Sequence, residues 1–110
     1  MNFDELEQQL PSMGKFTFSD RKGIRSYKFK GFVFLTINRG QSRICLRLPE
    51  VEQSVFIDFA PGIIWKVPNQ WGNYGWTLFR IEELEWEVVH EAIIAAKEYV
   101  VIRKIQKKLN

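Results

Sequence analysis

The chain has 110 residues, 45% hydrophobic and 15% aromatic, a composition that excludes a disordered polypeptide and suits a single domain with a packed core. No apolar run approaches the ~18 residues of a membrane span, and the opening Met-Asn-Phe-Asp-Glu-Leu-Glu lacks the basic and apolar regions of a secretory signal, so a cytoplasmic location is expected. The net charge is only +3, yet between Arg21 and Arg80 ten Lys or Arg stand against three acids, Glu50, Glu52 and Asp58, which hints at an anionic partner.

Residues 2–10 read as a short helix, with Asn2 as N-cap, Glu5 as its capping-box partner and Pro11 as its stop. The following stretch, 12–23, is loop-like, although Phe16 and Phe18 alternate with polar residues as in a short edge strand. Residues 25–30, 32–38 and 42–48 form a β-meander with turns at Gly31 and at Arg39-Gly40-Gln41. Pro49, Glu50 and Glu52 suit the first turn of a helix of about ten residues whose apolar stripe is Val51, Val55, Phe56 and Phe59. Pro61-Gly62 ends it. Residues 63–67 resume a strand, 69–75 form a loop, and 76–81 make the last strand. It feeds directly into one long amphipathic helix, 81–109, with Leu84, Val88, Val89, Ala92, Ala95, Ala96, Tyr99, Val100 and Ile102 on one face. Its acidic start and its end at Arg103, Lys104, Lys107 and Lys108 follow the helix dipole. The expected fold is an α+β domain over 1–110: a mostly antiparallel sheet of about five strands, helices on one face and a long C-terminal helix.

The run from Tyr27 to Val101 resembles the MmcQ/YjbR family of small bacterial proteins. The likeness is carried by the strand pair around Phe29 to Ile37, by Ile44-Cys45-Leu46-Arg47-Leu48-Pro49-Glu50, and by Ala60-Pro61-Gly62-Ile63. Gly75-Trp76 and Glu85-Trp86-Glu87-Val88-Val89 continue it. The chain departs from the family pattern between Ser12 and Arg25, and has Lys66-Val67-Pro68 where histidines are common. The resemblance implies a frataxin-like, double-wing sheet and a DNA-binding role proposed for the family, and it brings no catalytic residues.

No constellation points to an enzyme. His90, the only histidine, falls on the helix side away from the core, and no Gly-x-Ser-x-Gly stretch accompanies it. One Cys and one His match no zinc spacing, so neither metal nor cofactor is expected. Cys45 lies between Arg43 and Arg47, cations that lower a thiol pKa, although a small strand residue is the simpler reading. Gly72 and Gly75 lack the strand-turn-helix order of a phosphate loop.

The binding expectation rests on the sheet face opposite the helices. With Tyr27, Phe29, Ile44, Leu46 and Leu48 toward the core, Lys28, Lys30, Phe32, Phe34, Arg43 and Arg47 fall on the other side, where cations neutralise phosphates and rings stack on bases. Nucleic acid, DNA or RNA, is therefore the expected partner. Two alternatives stand beside it: a small-ligand pocket under 69–75 built from Trp71, Tyr74 and Trp76, and a homodimer or protein interface through Ile94, Val101 and Ile105.

Overall fold

A computed structural model describes residues 1–110. Helix α1 (Phe3–Met13) is capped by Asn2, whose Oδ1 accepts from the Glu5 backbone N–H while its Nδ2 donates to the Glu5 carboxylate. Asn2 caps the helix as expected, but Glu5 returns the contact to the Asn2 side-chain amide instead of the backbone N–H of a full capping box. Pro11 does not stop the helix as expected: the helix runs two residues further and ends at Gly14. A proline forfeits one backbone hydrogen bond, and here only one turn remained to be lost. Lys97 Nζ donates to the carbonyl of Met13, placing a cation at the negative end of the helix dipole.

The sheet is built from β1 (Thr17–Arg21), β2 (Ile24–Phe29), β3 (Phe32–Asn38), β4 (Arg43–Arg47), β5 (Ile64–Lys66) and β6 (Trp76–Phe79). Its order is β1-β2-β3-β4-β6-β5, every pairing antiparallel, so the sheet has six strands rather than about five. The additional edge is β1, where the sequence reads mainly as loop because every one of its side chains is exposed. Lys30-Gly31 turns β2 into β3 with positive φ at both residues (52° and 86°), the backbone of a tight hairpin turn that follows the sheet's twist.

Cross-strand rows show how the core forms. Ile37, Ile44, Phe79 and Ile64 are register neighbours across four strands, as are Leu35, Leu46 and Thr77, and all are buried. Onto this face pack Leu6 and Leu10 of α1 and Val89, Ala92, Ile93, Ala96 and Val100 of the long helix α4 (Trp86–Leu109). α4 starts later than expected. Ile81–Glu83 form a 3₁₀ turn and Leu84 is extended, so the link from β6 is a bend rather than a continuous run. Met1 and Lys97 tie α1 alongside α4, the terminal ammonium donating to the carbonyls of Ile81 (2.9 Å) and Leu84 (2.7 Å).

Helix α2 (Glu50–Phe59) corrects another expectation. Val51, Val55 and Phe59 are 71%, 59% and 65% exposed, and the helix instead turns Gln53, Phe56 and Ile57 inward. The cause is polar. Gln53 Nε2 donates to the Gly72 carbonyl (3.0 Å) and to Thr77 Oγ1 (3.0 Å), bonds that satisfy the amide on the buried side, where an unpaired one would be costly. Gly72 belongs to the short helix α3 (Gln70–Asn73) in what reads as loop. Gly75 has φ 102° and sits so close to β4 that a Cβ would fall 2.1 Å from the Leu48 carbonyl oxygen. Only glycine fits there.

Candidate nucleic-acid interface

All helices lie on one side of the sheet, and the register defines what the other side carries. Lys28 pairs with Thr17 and Val33, Arg43 with Asn38, Cys45 with Thr36 and Leu78, and Arg47 with Trp76, so these side chains share the open face. Trp65, paired with Leu78, joins them from β5, and Arg80 stacks on its ring at 5.2 Å. Lys28 is exposed, while Arg43, Arg47, Trp65 and Trp76 are half-buried. Arg47 Nε donates to the Tyr74 carbonyl at 2.8 Å, which fixes its stem and leaves its terminal nitrogens free of that bond. A shallow hollow of about 120 Å³ in the middle is lined by Ile24, Thr36, Asn38, Arg43, Ile44, Cys45 and Leu78.

Phe34 is not on this face. It is wholly buried, edge to face with Phe29 at 6.3 Å and tilted against Phe16 at 4.9 Å. A β-bulge is responsible. Tyr27 pairs with Leu35 but Lys28 pairs with Val33, so Phe34 is the extra residue and turns inward beside Leu35. Strict alternation through β3 would have placed Phe32 and Phe34 outward with Thr36. The bulge exchanges the faces of the strand's first half, and Phe32 packs against the core as well. Lys30 also departs from the expected position: it sits in the hairpin turn with its ammonium 5.4 Å from the Phe29 ring. The aromatic members of the open face are thus Trp65 and Trp76, of which Trp65 was not singled out. Its signal was available in the sequence as Ile64-Trp65-Lys66, apolar inward and tryptophan outward.

The other expected sites are dispersed. Trp71 and Tyr74 are exposed and meet edge to face at 6.1 Å, while Trp76 lies on the open face, so the three line no common hollow. The larger cavities open elsewhere on the surface. Ile94 is half-buried beside Met13 and Trp86, while Val101 and Ile105, further along the same face of α4, are exposed. His90 is half-buried, tilted against Trp86 at 5.1 Å between ring centres, with Nδ1 3.9 Å from a Glu91 carboxylate oxygen. It lies in the helix layer, while Cys45 lies across the sheet. Burial pushes the Cys45 thiol up to about 12, against the opposing pull of the Thr77 backbone hydrogen bond and the Arg43 charge, so the thiol is protonated at neutral pH. The cationic activation that its neighbours suggested is overridden by desolvation. No three His, Cys, Asp or Glu side chains converge as metal ligands, and no helix is long and apolar enough to cross a membrane.

Sequence reasoning missed a polar cluster at the far end of the sheet. Glu7 of α1 accepts from Arg25 and Arg39, each at 3.0 Å, and from the Tyr27 hydroxyl. Asp20 and Asp4 complete the pairing of these two arginines, at 2.7 and 3.0 Å. Burial pushes the Glu7 carboxyl up, but the hydrogen bonds from Tyr27, Arg39 and Arg25 outweigh it and hold the pKa below the usual range. Burial and then the hydrogen bond to Glu7 push the Tyr27 phenol up to about 12, against the opposing pull of Arg25.

These features define a class: an α+β domain with one helix-covered sheet face and one open, basic, tryptophan-bearing face. Beyond that class, no family model, curated protein or solved structure matches the chain.

Proposed function

We propose that the protein is a non-catalytic domain of the MmcQ/YjbR type that binds nucleic acid across its open sheet face. The observation that carries this reading is the composition of that face: Lys28, Arg43 and Arg47 with Trp65 and Trp76 among them, and no carboxylate in the register rows they occupy. Cations of this kind neutralise phosphates and release counterions, and indole rings stack on bases with ~1–3 kcal/mol per base. Ser26 and Thr36 add hydrogen-bonding groups between them.

Fluorescence anisotropy with labelled single- and double-stranded DNA and RNA tests the reading, at about 50 and 200 mM salt with heparin as competitor. The expected result is salt-sensitive binding that prefers one nucleic-acid form, survives a low excess of heparin, and disappears in Arg43→Glu/Arg47→Glu without a change in circular dichroism. Equal binding to every polyanion, or full affinity in the double variant, rejects the face.

A second reading is favoured by the exposed apolar residues of the helices. Val51, Val55 and Phe59 on α2, and Val101, Ile102, Ile105 and Leu109 on α4, present apolar surface that suits a protein partner or a second copy of the chain. Sedimentation at two concentrations distinguishes self-association from a monomer.

A further inference from the structure

Past Ala96 and Val100 the last turns of α4 leave the core, and their side chains meet the β2–β3 hairpin end of the sheet. Spacings of four residues place Tyr99, Arg103 and Lys107 on one ridge of the helix. The Arg103 Cζ lies 4.8 Å from the Tyr99 ring centre and 5.6 Å from that of Phe32, and Lys107 Nζ lies 5.9 Å from Phe32. From β4, the Arg47 Cζ reaches the same Tyr99 ring at 5.9 Å. Two guanidinium groups therefore share one aromatic platform.

Neither has a counter-charge. The protein's ion pairs involve Arg25, Arg39, Arg80 and His90, and none includes Arg47, Arg103 or Lys107. Arg103 is anomalous in a second way: its Nε and Nη2 are buried and donate to nothing. Those two nitrogens are the parallel, side-on fork of a guanidinium, the pair that matches two oxygens of a phosphate or carboxylate. Burial and the neighbouring Arg47 both depress the Arg103 pKa, as expected of a cation held without an acceptor. The fork is closed to solvent as it stands and opens to an oxyanion only as the guanidinium swings off the Tyr99 and Phe32 rings, which attract a cation less strongly than an oxyanion does.

We propose that Arg47 and Arg103 form a clamp for a phosphate oxyanion, in which the Arg103 fork grips two oxygens and Arg47, with its stem fixed by the Tyr74 carbonyl, supplies the second charge. Lys107 lies beside it on the same ridge and adds a third. For the source of the phosphate this rests on the nucleic-acid reading. Arg47 also belongs to the open face, paired with Trp76, so a strand stacked there carries its backbone toward the clamp. A free phosphorylated small molecule offers the same chemistry, and the test separates the two.

The arginine Nε–H resonances report directly. Titration with inorganic phosphate, against chloride at matched ionic strength, is expected to give a saturable shift of the Arg103 signal. By protein amide shifts or calorimetry, Arg103→Lys, which keeps the charge and the stem but loses the fork, is expected to bind phosphate about tenfold more weakly. A response no larger than that to chloride, or undiminished phosphate affinity in Arg103→Lys, overturns the clamp. Oligonucleotide binding forms the second arm, where Arg103→Gln is expected to reduce the salt-dependence slope by about one. An unchanged slope alongside loss of binding in Arg43→Glu/Arg47→Glu removes the clamp from the nucleic-acid path and leaves the open face intact. Saturable phosphate binding without any oligonucleotide binding supports the clamp, assigns it a free phosphorylated compound, and rejects the nucleic-acid reading.

Discussion

At the end of the sheet where β1 turns into β2, Glu7 takes hydrogen bonds from Arg25, Arg39 and Tyr27, and Asp20 and Asp4 give each of the two guanidinium groups a second carboxylate. At the end where β2 turns into β3, Arg47, Arg103 and Lys107 crowd around Tyr99 and Phe32 and meet no carboxylate. Both ends are rich in arginine and aromatic rings. The difference is that the first satisfies its charges internally and so ties α1 to the sheet, whereas the second leaves donors idle at a cost to the fold. An unpaired, partly buried guanidinium such as that of Arg103 is a poor contributor to stability, and its presence is better accounted for by a ligand than by packing.

The comparison can be broken by substitution. The largest effect is expected at Phe34, the bulge residue beneath the hairpin: Phe34→Ala should cost about 3–5 kcal/mol in denaturant unfolding by leaving a cavity. Any nucleic-acid affinity measured on the folded variant should be unchanged, because the ring does not reach the open face. Next comes Glu7→Gln at the paired end, expected to cost about 1.5–3 kcal/mol for the charged hydrogen bonds it weakens. At the other end the sign reverses. Arg103→Met should leave stability unchanged or raise it by up to about 1 kcal/mol, since it removes unsatisfied donors while keeping the stem. A loss there as large as that of Glu7→Gln would show that the two ends are alike.

Smaller effects should appear in the pH dependence. The folded Glu7 carboxyl titrates below its ordinary 4.5, so its contribution is present above that value and is lost as pH falls through the folded pKa. Glu7→Gln should flatten the acid limb of stability against pH. On the alkaline side Cys45 and Tyr27 both titrate at about 12 in the folded protein, above ordinary values of 9.0 and 10.0. Their unfolded forms ionise first, so stability should be undiminished by them below pH 9.0 and fall progressively toward about 12. Cys45→Ala should delay that decline.

Much of the fold was legible in the chain. The Asn2 cap, the meander and most of the apolar face of α4 follow from patterns that local physics enforces, although Ile102 of that face is exposed and Ile93, outside it, is wholly buried. Three features did not follow, each because a distant contact overrode a local pattern. The bulge at Phe34 leaves no periodic trace, since a phenylalanine suits either side of an alternating strand. The inward turn of Gln53 defeats an apolar stripe because its partners, Gly72 and Thr77, lie about twenty residues away. The long α4 shows its basic end plainly, but which of those cations share Tyr99 with Arg47 depends on how the helix crosses the sheet. Of the expected binding residues, Lys28, Arg43 and Arg47 lie together on the open face, Lys30 lies at its margin in the turn, and Phe34 lies beneath it.

The most direct test of the contrast is to map backbone amide shifts on adding a short single-stranded oligonucleotide at low salt. The expected result is shifts along β4 and β6, at the Lys30-Gly31 turn and in α4 beyond Tyr99, with the residues around Glu7, Arg25 and Arg39 unmoved. Shifts centred on the paired end, or none anywhere, would contradict it.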